Sequence, residues 1–132
     1  MLTAGGFEIS TEGEFVLYEE EFFPDRLFVK DKDGERAVIA VDDIIMVESF
    51  NHELVFYVGE EQYTLRERLY AIEERLPFER FVRVSQSCIV NRYEIVRIVP
   101  AFGSRYDLTL SNGLKTSVAR SYFTTFKRRF GL

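Results

Sequence analysis

Three turn signals constrain this chain more than any other feature of it. Asp33-Gly34, Gly59 and Asn112-Gly113 each stand between two short runs of β-type residues. Asp-Gly and Asn-Gly dipeptides supply the positive φ that tight hairpin turns demand. The paired runs are Leu27–Lys30 with Glu35–Val41, Leu54–Val58 with Gln62–Leu65, and Tyr106–Leu110 with Leu114–Val118. Residues 44–50 form a further apolar run behind Asp42-Asp43. Short strands punctuated this way predict antiparallel sheet.

Two segments break the alternation. Glu67–Leu76 sets Leu69, Ile72 and Leu76 at helical spacing, and Pro77 stops it. Ser117–Phe130 places Phe123, Phe126 and Phe130 on one helical face, with Lys127, Arg128 and Arg129 turned elsewhere. That face reads as core rather than as a stacking platform. The expected fold is therefore mostly β with two helices. At 132 residues the chain has the length of one domain. Residues 27–132 read as that domain. Residues 1–26, with Glu19-Glu20-Glu21, read as an acidic N-terminal extension, either an extra hairpin or an arm.

Charge is sorted along the chain. Residues 80–132 carry ten basic and two acidic side chains, whereas residues 1–79 carry seven basic and twenty acidic ones. The net charge of −5 thus hides a basic C-terminal part that suits a polyanion. The acidic extension is expected to lie away from that face.

Several function classes are excluded or unsupported. The longest apolar run, Ala37–Val41, falls far short of the about 20 residues that span a bilayer, and no basic stretch leads into an apolar leader. One histidine and one cysteine make a zinc site or a Cys–His catalytic pair untenable. No glycine-rich phosphate loop follows a strand, and the carboxylate clusters sit at turn-like positions. The chain is not expected to be an enzyme, and it needs no cofactor and no metal. A lone Cys88 points to a reducing, cytoplasmic setting. It reads as a small buried side chain in preference to a redox switch.

The most informative stretch is Phe81-Val-Arg-Val-Ser-Gln-Ser-Cys-Ile-Val-Asn91, followed by Ile95 and Ile98, then Leu108-Thr-Leu-Ser-Asn-Gly113 and Val118-Ala-Arg-Ser-Tyr122. Upstream stand Asp43-Ile-Ile-Met-Val-Glu48 and the Tyr63–Leu76 segment. Over roughly residues 27–130 this pattern resembles the LytTR family of bacterial DNA-binding domains. Two departures stand out. Ser85-Gln86 replaces the family's histidine-arginine pair, and Ala119 replaces the serine before its arginine. Both fall at or beside expected DNA-contact positions and bear on the sequence recognised.

The resemblance implies an elongated antiparallel β fold of short sheets with a C-terminal helix, reading duplex DNA through loops in the major groove at direct repeats. It implies a transcriptional regulator of the stand-alone type, since the chain leaves no room for a receiver domain. Its implied partners are double-stranded DNA, a second copy on that DNA, and a membrane protein or other regulator. The base readers carried over are His52, Gln86 and Arg120. His52 stands in the Phe50-Asn-His-Glu53 turn, where an ordinary exposed histidine is the competing reading. The Gln86 amide suits adenine, and the Arg120 fork suits guanine O6 and N7. A helix-start salt bridge competes for Arg120, but arginine is disfavoured beside the positive end of a helix. Arg83, Ser87, Arg92, Lys115, Lys127 and Arg128 are the expected phosphate contacts, which position without specifying. Asn91 reads as a turn-former. Two rivals stay open: an interaction module that has lost DNA binding on the same fold, and a single-strand or RNA binder using exposed aromatics.

Overall fold

The structure is a computed structural model that describes residues 25–132. The acidic extension, apart from its last two positions, lies outside the described residues. Five strands come first: β1 (Arg26–Lys30), β2 (Arg36–Ala40), β3 (Met46–Phe50), β4 (Glu53–Val58) and β5 (Glu61–Arg66). Helix α1 (Leu69–Glu73) leads into β6 (Phe81–Ser85) and β7 (Cys88–Asn91). Strands β8 (Ile95–Ala101), β9 (Arg105–Leu110) and β10 (Lys115–Val118) follow, and helix α2 (Phe123–Phe130) closes the chain.

The strands form two antiparallel sheets, one of seven in the order β2-β1-β5-β4-β3-β7-β6 and one of three in the order β10-β9-β8. The fold is thus mostly β with two helices. The large sheet divides the interior. Ile44, Val47, Phe56, Phe81 and Ile89 face one cluster, which Leu69, Ile72 and Leu76 cover from the α1 side. Ile45, Met46, Val82, Val84, Cys88 and Val90 face the other, where the small sheet and Phe126 of α2 pack. Alternate residues of the central strands enter opposite cores because side chains alternate across a strand. This explains why all four residues of Cys88-Ile-Val-Asn91 are buried, the polar one, Asn91, included.

The turns follow their residues. Asp31 Oδ1 accepts from the backbone N–H of Asp33 and of Glu35, at 2.9 Å each, and closes the β1–β2 turn. Asn112 Oδ1 accepts from Leu114 N–H at 3.1 Å in the β9–β10 turn, and Gly113 there has φ 89°. The Asn112 amide also donates to Gly59 O at 3.0 Å, tying the small sheet to the β4–β5 turn.

Two helix boundaries differ from the sequence expectation. The helical segment expected over Glu67–Leu76 is a shorter helix, Leu69–Glu73. The last helix does not begin at Ser117. Residues 115–118 pair with β9, Val118 opposite Tyr106, and a 3-10 turn over Arg120–Tyr122 precedes α2. Val118 is completely buried. Its burial and ladder bonds outweigh helical continuation, and the phenylalanine period starts only at Phe123. Strand β8 is likewise an addition, since only its Ile95 and Ile98 are marked by the sequence pattern.

Candidate nucleic-acid interface

Strand register brings distant loops to one end of the molecule. The β3–β4 hairpin pairs Phe50 with Glu53 and leaves Asn51-His52 as a two-residue turn. Their φ values, 50° and 69°, are those of a turn with both central residues left-handed. The β6–β7 hairpin pairs Ser85 with Cys88 and leaves Gln86-Ser87 at its tip. Because β3 runs antiparallel to β7, with Glu48 opposite Cys88, the two tips project from the same end. Ser49 N–H donates to Ser87 O at 2.9 Å and locks them together.

Arg120 joins them from the other sheet. Ala119 N–H donates to Val84 O at 2.8 Å, which fixes the β10–α2 junction beside the end of β6. Arg120 is exposed there. His52, Gln86, Ser87 and Arg120 are therefore neighbours in space, all exposed, from three separate parts of the sequence.

Arg83 stands behind this group and is occupied. Its Nε donates to Ser85 O at 2.6 Å and its Nη2 to Gln86 O at 2.7 Å. Its Nη1 lies 2.6 Å from Glu73 Oε1 of α1. The side chain is 20% exposed, and its guanidinium lies 5.9 Å from the Tyr122 ring. An arginine held this way shapes the Gln86 turn. A bulge between Arg83 and Ser85 bends the strand at the same point.

The other basic residues are spread out. Arg92 follows Asn91, whose partner Phe81 lies at the open end of the β6–β7 hairpin, away from Gln86. Its guanidinium sits 5.6 Å from the Tyr93 ring and 5.2 Å from that of Phe130. Lys115 begins β10, three positions before Val118. Lys127 and Arg128 are exposed on the last turns of α2. The structure brings the three expected readers together and leaves Arg92 and Lys115 apart from them.

Asn91 is buried and structural. Its Nδ2 donates to Ile44 O at 2.9 Å, and its Oδ1 accepts from Tyr93 N–H at 3.0 Å. Burial pushes the Cys88 thiol up to about 12, against a weaker pull downward from the Thr116 hydroxyl. A thiol so fully protonated is inert, in line with a packing role. Tyr57 is also pushed up to about 12, by burial and by its 2.8 Å hydrogen bond to Glu48.

The sequence profile of the LytTr DNA-binding domain matches residues 34–131. The chain belongs to the LytTr DNA-binding domain family. The Sensory transduction protein LytT of Enterococcus faecalis is 35% identical over 95 residues, covering 72% of this chain and 39% of that protein. LytT of Bacillus subtilis is 34% identical over 96 residues, 72% of this chain and 40% of that protein. The chain thus matches about two fifths of the length of these relatives. Among solved structures, the LytTr DNA-binding domain of a Bacillus cereus methyl-accepting/DNA response regulator superposes with a TM-score of 0.76. That match has 26% identity and covers 82% of this chain and 98% of that one.

In this LytTr domain no group of three or more His, Cys, Asp or Glu side chains is set to hold a metal, among the described residues. None of its described helices is long and apolar enough to cross a membrane. One feature at the same end escapes the sequence pattern: the three-residue tip Phe102-Gly103-Ser104 between β8 and β9. Its signal is an aromatic residue directly before a turn glycine.

Proposed function

We propose that this LytTr domain regulates transcription by binding duplex DNA at direct repeats, with the Asn51-His52, Gln86-Ser87 and Arg120 loops entering the major groove. The observation that carries this reading is the convergence of those three loops at one end, locked by the Ser49–Ser87 and Ala119–Val84 backbone bonds. Gln86 then pairs with adenine and Arg120 with guanine, while His52 offers a ring nitrogen to a base edge. Ser87, Lys127 and Arg128 contact phosphates, and Arg83 holds the Gln86 turn in shape. Arg92 and Lys115, set back from that end, stay outside this assignment. Two copies on repeats about one helical turn (about 34–36 Å) apart would each present the same end.

The test is selection of duplexes from a random-sequence pool, followed by titration at several salt concentrations. With Lys127 and Arg128 as cationic phosphate contacts on each of two copies, log K should fall against log salt with a slope of about −4. The net charge of −5 favours a second reading, an interaction module on the same fold. Failure to enrich any duplex, or an affinity independent of salt, decides for that module.

A further inference from the structure

Phe102 is 100% exposed, the most exposed large apolar side chain among the described residues. It stands at the tip of the β8–β9 hairpin, beside Gly103 and Ser104, whose φ values are 83° and 59°. Two successive left-handed residues fix the tip in a conformation that L side chains rarely adopt. The hairpin is not loose at its base. Tyr106, one residue beyond the tip's closing pair Ala101–Arg105, is buried and stacks on Phe123 with ring centroids 4.9 Å apart. A rigid support therefore presents a bare phenyl ring to solvent. Isolated surface apolar residues need no explanation, but this one borders a basic trough.

The trough is an open depression of about 660 Å³ lined by Ser85, Phe102, Arg105, Thr116, Ala119 and Arg120. Its position follows from register. Val118 lies opposite Tyr106, and Ala101 opposite Arg105, so the β8–β9 tip and the Arg120 turn project from the same end of the small sheet. Arg120, Arg105, Ser85 and Thr116 all line it, together with Phe102. Two arginines and two hydroxyl residues lining one trough match the chemistry of a phosphodiester, which accepts from charged and neutral donors together. An apolar ring in the same lining suits the deoxyribose faces that flank such a phosphate.

We infer that the β8–β9 hairpin is a further DNA-contacting element: the trough takes a stretch of phosphodiester backbone, and Phe102 packs on the deoxyribose beyond it. This rests on the duplex-DNA reading above. Arg105 supplies a phosphate contact, and Phe102 supplies apolar contact that carries neither charge nor base identity.

The roles separate by salt dependence, because only a cation that meets a phosphate releases a counterion. The experiment uses the full chain, a duplex enriched by it from a random pool, and an unrelated duplex of equal length. Phe102→Ala should lower affinity about ten-fold on both duplexes and leave the salt slope unchanged. Phe102→Leu should restore most of that loss. Arg105→Ala should weaken both duplexes and reduce the slope by about one. The melting temperature of Phe102→Ala should match that of the unaltered chain, since the ring packs on nothing in the fold. Affinity of Phe102→Ala within two-fold of the unaltered chain on an enriched duplex overturns the inference while the DNA reading stands. Absence of any enriched duplex removes the DNA reading and this inference with it.

Discussion

Arg83 donates to the main-chain carbonyl of Gln86 at 2.7 Å, so a strand residue holds the turn that presents a candidate base reader. The same guanidinium reaches Ser85 O and the Glu73 carboxylate, linking that turn to α1 on the far side of the sheet. Removing it should loosen the turn as well as the fold. Arg83→Ala is expected to cost about 1–3 kcal/mol of stability, as charged donors to partly buried carbonyls do when lost. Its DNA affinity should fall with an unchanged salt slope, whereas loss of a phosphate contact would reduce that slope by about one. Urea melts and salt titrations of the same variant read both quantities.

His52 occupies a left-handed position, φ 69°, that glycine adopts without steric cost. His52→Gly should leave stability unchanged or raise it by up to about 1 kcal/mol, while weakening binding to an enriched duplex. Opposite signs in thermal melts and in binding isotherms mark a residue kept for contact rather than for the turn. Parallel losses in both would return His52 to an ordinary turn role.

Asn91 is completely buried and serves Ile44 O and Tyr93 N–H at once. Asn91→Ala leaves both without that partner inside the protein, at a cost of about 1–3 kcal/mol. The variant's denaturation midpoint should drop accordingly. Its affinity for DNA, measured where it is fully folded, should stay within a few-fold.

Cys88 gives the fold a pH dependence of definite sign. Its thiol titrates near 9.0 ordinarily and is pushed up to about 12 in the fold, chiefly by burial. The protonated form is thus favoured in the folded state. Its contribution is complete below about pH 9 and is lost as pH rises toward about 12. Stability should fall over that window more steeply in the unaltered chain than in Cys88→Ala. Below pH 9, native protein should resist alkylation until it is unfolded.

Much of the fold was legible because its turns are chemically explicit. Asp33-Gly34 and Asn112-Gly113 announce hairpins through local backbone needs, and Leu69, Ile72 and Leu76 announce a helical face. The start of α2 was not legible, because Lys115–Val118 is held extended by pairing with β9 and by the core around Val118. Strand β8 hid for a related reason. Its half-buried residues Ile95, Ile98 and Ala101 recur every third position in place of strict alternation, and a bulge interrupts the register between Ile95 and Arg97. At the candidate site, His52, Gln86 and Arg120 could be picked out by resemblance. The engagement of Arg83 could not, since two of its partners are backbone carbonyls without any sequence signature. Phe102 carries no such mark, because an exposed aromatic gives no periodic signal.

The central claim is that the end carrying His52, Gln86 and Arg120 reads base sequence. It is tested most directly by comparing Arg120→Ala with Lys127→Ala on an enriched duplex and on an unrelated one. Arg120→Ala should cost about 1–3 kcal/mol on the enriched duplex and much less on the unrelated one, because a bidentate base contact exists only at the right base pair. Lys127→Ala should weaken both alike and reduce the salt slope by about one. Equal losses on the two duplexes for Arg120→Ala, accompanied by a lower melting temperature, would contradict the account and make Arg120 a structural residue.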